Sequence, residues 1–101
     1  RYMNEFFVNE IAVRILTLFL LMCGFEPSDG CEIRDFGYHR VWTVSACVPF
    51  DTDIESLKID FDAYLNEHNS CPTAVKFGFY DCVVYPCNHC GGQHLYLSIY
   101  Q

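Results

Sequence analysis

The chain has 101 residues, which is enough for one compact domain and too few for two. Thirteen acidic residues oppose six basic ones, a formal net charge of −7 at pH 7. Binding to a phosphate backbone requires a basic surface, so we expect no direct contact with nucleic acid. Hydrophobic residues make up 51% and aromatic residues 17% of the chain, which predicts a folded core. We expect a single domain over residues 1–101, with Arg1 and Tyr2 as a remnant of cloning or processing.

The segment from Asn4 to Cys23 predicts the first helix, with Asn4 as N-cap and Gly24 ending it. In its second half apolar residues cover nearly the whole circumference, and such a helix must be covered on more than one side. Two interpretations stay open: a central core helix, or an interface with a partner or a second copy of the chain. The apolar run Ile15–Cys23 is too short for a membrane span and lacks the features of a signal peptide. We expect an intracellular location without membrane contact.

A turn cluster over residues 26–30 precedes two predicted strands, Cys31–Tyr38 and Val41–Phe50, joined by a hairpin. The second strand alternates with period two, which is typical of a sheet packed on one side. One predicted face holds Trp42, Val44, Ala46 and Val48, and the other holds Thr43, Ser45 and Cys47.

The second helix begins at a capping-box match, Thr52 to Glu55, and should end near Glu67 or His68. Its apolar residues recur at spacings of three and four: Ile54, Leu57, Phe61, Tyr64 and Leu65.

Two further strands, Ala74–Tyr85 and Gln93–Tyr100, flank a loop over residues 86–92. In the first, Val75, Phe77 and Phe79 should point inward. In the last, Leu95, Leu97 and Ile99 should do so. The order α-β-β-α-β-β predicts an α+β fold with a four-stranded antiparallel sheet and two helices packed on one face.

Seven cysteines would suggest a disulfide scaffold in a small secreted protein. The number is odd, and the apolar content suffices for a core without covalent links. We therefore expect an intracellular protein with reduced thiols, several of them as small buried core residues.

The segment from Cys87 to Gly92, with sequence CNHCGG, looks like one zinc-ribbon knuckle, in which glycines let the backbone turn tightly around two thiolates. The predicted metal ligands are Cys82, Cys87, Cys90 and His94. His89 is an alternative to His94, and Cys71 or Cys31 could substitute for a cysteine. Four protein ligands leave no position for water, so the Zn²⁺ would be structural. Unligated thiols, or a Cys87–Cys90 or Cys82–Cys87 disulfide, remain open alternatives.

The second helix is strongly acidic, with one base, Lys58, among six carboxylates. This composition predicts either a solvated face or a negative surface that fits a basic groove on a partner protein. Ile59 would supply an apolar anchor, and tyrosines on the outward face of the last strand would add contact area. The predicted partner-binding residues are Asp53, Glu55, Ile59, Asp60, Asp62, Glu67, Tyr96 and Tyr100.

No G-x-S-x-G, Walker-type or H-E-x-x-H motif occurs in the chain. The sequence therefore favours a non-enzymatic protein that binds another protein, in the form of a viral or mobile-element inhibitor or adaptor, and that self-associates through the first helix. A zinc-stabilised module and an enzyme with a cysteine nucleophile are the two alternatives.

Overall fold

The structure is a computed structural model that describes residues 5–28, 31–87 and 89–101. The elements in chain order are α1 (Glu5–Met22), β1 (Glu32–Asp35), β2 (Arg40–Val48), α2 (Ile54–Asn69), β3 (Gly78–Pro86) and β4 (Gln93–Tyr100). The predicted α+β fold and its element order are confirmed. The predicted N-cap of the first helix, Asn4, lies outside the described residues.

The four strands form one antiparallel sheet in the order β1-β2-β4-β3. Because β4 lies between β2 and β3, residues far apart in the chain become neighbours. Cys47 of β2, for example, is directly opposite His94 of β4. The helices pack on one face of the sheet, and we call the opposite face the open face.

The predicted alternation in β2 is confirmed, and its inward residues are buried beneath the helices. Trp42, Val44, Ala46 and Val48 belong to the hydrophobic core. α1 contributes Ala12, Ile15, Leu16, Phe19 and Leu20 to this core, and α2 contributes Leu57, Phe61 and Leu65. A single apolar layer between sheet and helices therefore stabilises the domain.

A bulge at Tyr80 interrupts the alternation of β3. Phe79 pairs with Ile99, Asp81 pairs with Ser98, and Cys82 then pairs with Leu97. One extra residue in a strand moves every later side chain to the other face. Cys82 and the residues that follow it therefore have the opposite orientation from the one that strict alternation after Phe79 would give.

Several predicted boundaries are wrong. β1 ends at Asp35 and not at Tyr38, and two other boundaries differ for local reasons. The N-cap of α2 is Asp53, whose carboxylate accepts hydrogen bonds from the Ser56 backbone N–H (3.2 Å) and hydroxyl (2.8 Å). A capping box starting at Thr52 is thus not formed. β3 begins only at Gly78, because the Asn69 side chain donates to the Phe77 carbonyl at 2.7 Å and accepts from its N–H at 3.1 Å.

Candidate functional site

Three of the predicted metal ligands come together beside the loop between β3 and β4. The ligand atoms of Cys87, Cys90 and His94 all lie within 4.8 Å of one another, and each of the three residues is half-buried. Cys87 directly follows β3, Cys90 lies in the loop, and His94 is the second residue of β4. Sulfur and imidazole donors at such distances could hold one metal ion.

The two glycines of this loop explain how it folds back on the sheet. Gly91 has a φ of 73°, in the left-handed region that favours glycine. A Cβ on Gly92 would meet the backbone carbonyl oxygen of Val48 at the end of β2. The Cys87 N–H donates a hydrogen bond of 3.3 Å to the Gly92 carbonyl and closes the loop. The two glycines therefore place the end of this loop against the end of β2.

Cys47, on the open face of β2, also reaches this cluster. It forms a disulfide with Cys90, and its sulfur lies 3.1 Å from the Cys90 carbonyl oxygen. Neither disulfide pairing considered from the sequence is formed, and five cysteines are free: Cys23, Cys31, Cys71, Cys82 and Cys87. Sequence reasoning placed Cys47 on the outward face of its strand but missed its partner, since the pairing of β2 with β4 is not visible in the sequence.

Cys82 does not join the cluster, which corrects the predicted ligand set. It is 3% exposed, in the core beneath the helices, while His94 is on the open face. The cause is the bulge at Tyr80, which turns Cys82 inward. Burial raises the pKa of its thiol to about 11, and a protonated thiol is a poor metal ligand. The predicted substitutes His89, Cys31 and Cys71 are also outside the three-residue group found among the described residues.

A second candidate site is a groove of about 870 Å³ between the two helices, which we call the helix groove. It is lined by Phe19, Met22 and Cys23 from α1 and its end, and by Asp60, Ala63, Tyr64, Asn66 and Glu67 from α2. Burial and the nearby Asp60 carboxylate raise the pKa of the Cys23 thiol. The groove thus combines an apolar floor with carboxylates.

Beside the helix groove, α1 leaves large apolar side chains exposed. Leu18, Leu21 and Met22 are 50%, 54% and 70% exposed. The helix is therefore neither fully enclosed nor free of the core: one side packs on the sheet, and the other is open. The core interpretation is confirmed for the side that packs on the sheet, while an interface with a partner or a second copy stays a prediction for the exposed side.

The predicted partner-binding residues lie on two different faces. The acids of α2 are exposed, and Ile59 among them is 70% exposed. Tyr96 and Tyr100 lie instead on the open face and are half-buried, Tyr96 packing against Tyr85 and Tyr100 against His39. These tyrosines and the acidic helix cannot belong to one continuous patch.

The fold and its sites define an α+β domain with a Cys/His cluster on one face of the sheet and an acid-lined groove between helices on the other. Comparison of the chain with known protein families, curated proteins and solved structures finds no match. Among the described residues, neither helix has the length and hydrophobicity needed to cross a bilayer.

Proposed function

We propose that the protein is a protein-binding module whose helix groove receives a partner surface that combines Lys or Arg with an apolar anchor. The observation that supports this is that exposed Met22 lines the same groove as Asp60 and Glu67. An apolar patch within a charged rim is a common interface composition. Such a module would act as an inhibitor or adaptor by occupying a basic surface of its target.

Charge favours a basic partner over a second copy of the chain. Among the residues that the structure describes, no lysine or arginine lines the helix groove, and the chain carries a net charge of −7. Two copies meeting at this groove would bring the carboxylates of Asp60 and Glu67 together, which opposes association. A basic partner would instead approach along a favourable potential.

A pair of designed peptides tests this proposal. One is an amphipathic helix of leucine and lysine, and the other has glutamate at every lysine position. We expect the lysine peptide alone to bind, with an affinity that falls as salt rises. Asp60→Lys should weaken binding about tenfold or more. Asp62→Lys is the matched control, because Asp62 is exposed on the same helix but does not line the groove.

Equal effects of the two charge reversals would mean that peptide binding depends only on the net charge of the protein, and the proposal would then fail. It would also fail if light scattering showed a stable homodimer that Met22→Glu converts to monomer. In that case the exposed side of α1 is covered by a second copy.

A second candidate function is favoured by the convergence of Cys87, Cys90 and His94. We propose that these residues bind Zn²⁺ and that the ion stabilises the loop between β3 and β4. Native mass spectrometry of reduced protein should show one zinc ion per chain, and a chelator should lower the melting temperature. Reduced protein that neither takes up zinc nor changes its melting temperature with chelator would exclude this function.

A further inference from the structure

We infer that Cys47 is the fourth ligand of the zinc site, so that a Cys47, Cys87, Cys90 and His94 set binds Zn²⁺ when reduced, and the Cys47–Cys90 disulfide replaces the ion when oxidised. This inference rests on the zinc function proposed above and deepens it. It replaces Cys82, the ligand expected from the sequence, with a residue from a different strand.

The register of the sheet places Cys47 at the cluster independently of the disulfide. Cys47 and His94 are directly opposite each other on β2 and β4, and side chains of opposite residues on one face have Cβ atoms about 5 Å apart. His94 in turn belongs to the group with Cys87 and Cys90. Cys47 is paired with His94 and bonded to Cys90. It therefore lies next to the position that an ion bound by the other three residues would occupy.

The distances between the ligand atoms fit an ion with tetrahedral coordination. With Zn–S bonds of about 2.3 Å, the sulfurs of a tetrahedral site lie about 3.8 Å apart. The donors of Cys87, Cys90 and His94 already lie within 4.8 Å of one another. Cys82 cannot replace Cys47, because it is buried on the opposite face of the sheet. Three thiolates and a neutral imidazole complete the four-coordinate Cys₃His set of structural zinc sites.

Zinc and the disulfide exclude each other, because zinc binds thiolates and a disulfide has none. A dithiol reductant supplies two electrons and two protons: the S–S bond between Cys47 and Cys90 breaks, two thiols form, and the reductant becomes a disulfide. Zinc then binds three sulfurs and an imidazole nitrogen, and the three thiol protons pass to solvent. In either state Cys47 links β2 to the loop that follows β3.

The test uses the full chain, prepared reduced and oxidised, with zinc measured by native mass spectrometry and by competition with a chromogenic chelator. We expect reduced protein to bind one zinc ion, and oxidised protein to bind it about 100-fold more weakly or not at all. Cys47→Ser should weaken zinc binding by about tenfold or more under reducing conditions. Cys71→Ser is the matched control, because Cys71 is exposed and outside the cluster, and Cys82→Ala tests the ligand expected from the sequence.

Co²⁺ bound in place of Zn²⁺ reports the number of sulfur ligands through its absorbance. The thiolate-to-cobalt charge-transfer absorbance of Cys47→Ser should fall to about two-thirds of the wild-type value, because one of three thiolates is removed. Alkylation of the wild-type chain gives a second test, whose result does not depend on whether the variant folds. Zinc should protect Cys47, Cys87 and Cys90 from alkylation in reduced protein, while Cys71 remains reactive.

The outcomes separate the two proposals. If reduced wild-type protein takes up no zinc, the zinc function itself fails. If it binds zinc, but Cys47→Ser binds equally well and zinc leaves Cys47 open to alkylation, only the role of Cys47 is overturned. If oxidised protein binds zinc as tightly as reduced protein, the exchange between ion and disulfide is overturned.

Discussion

The hydrogen bond between Trp42 and Asn9 holds α1 on the sheet, and its removal gives the sharpest test of the packing. The indole N–H of Trp42 in β2 donates to the Asn9 side-chain oxygen in α1 at 3.0 Å. Trp42 is 0% exposed, so Asn9→Ala leaves a buried donor without its partner. The same bond orients the helix whose far end forms one wall of the helix groove.

The expected loss follows from two opposing effects. A buried donor left unsatisfied costs about 1–3 kcal/mol. Alanine is a better helix former than asparagine by about 0.5 kcal/mol, which offsets part of that cost. We therefore expect Asn9→Ala to lower the free energy of unfolding by about 0.5–2.5 kcal/mol, and the melting temperature by about 4–8 °C for each kcal/mol.

Urea unfolding followed by tryptophan fluorescence is the assay, since Trp42 is the single tryptophan of the chain. Asn66→Ala is the matched control, the same substitution at an exposed position of α2, and it should leave stability unchanged or raise it slightly. The contribution of this hydrogen bond would be refuted if Asn9→Ala unfolded at the same urea concentration as Asn66→Ala.

Three further predictions concern single positions. Gly92→Ala should destabilise the protein in urea by about 1–3 kcal/mol, because the new Cβ would meet the Val48 carbonyl oxygen; unchanged stability would mean that the loop does not approach β2 so closely. Hydrogen bonds from Ser56 lower the pKa of Asp53, so its stabilising effect is present at neutral pH and disappears as pH falls through that lowered pKa. Asp53→Ala should therefore reduce the melting temperature at neutral pH but not in strong acid, while Thr52→Ala should reduce it at neither. Hydrogen bonding by Thr73 lowers the pKa of the Cys71 thiol, whereas burial raises the pKa of the Cys31 and Cys82 thiols to about 11. Mild alkylation mapped by mass spectrometry should therefore label Cys71 before Cys31 and Cys82.

The last of these predictions also bears on the enzymatic alternative. An exposed thiol whose pKa a neighbouring hydroxyl lowers accounts for selective alkylation without any catalytic role. Preferential labelling of Cys71 would thus have a local cause, whereas preferential labelling of Cys87, which lies beside His94, would favour a cysteine nucleophile.

The sequence could predict those features that depend on neighbouring residues along the chain. Alternation in β2 correctly separates Trp42 and Val48 from Cys47 because a strand has a side-chain period of two. The stripe of Leu57, Phe61 and Leu65 correctly predicts the buried side of α2. Turn residues separate the elements, so the order of helices and strands was predictable as well.

The Cys/His cluster could be predicted only in part. Cys87, Cys90 and His94 are close in the chain, and a short loop between two strands necessarily keeps them close in space. That Cys47 and not Cys82 lies beside these residues was beyond local reasoning. Cys82 is nearer in sequence, but its orientation depends on a bulge that no periodicity of β3 indicates.

The sequence alone therefore determined the elements, their buried sides and the closeness of Cys87, Cys90 and His94, because each of these follows from residue spacing over a few positions. The tertiary structure alone decided the strand order, which brings Cys47 opposite His94, and the packing of the helices, which places Met22 beside Asp60. These contacts join distant parts of the chain, and they are set by how the apolar faces bury one another rather than by any local pattern.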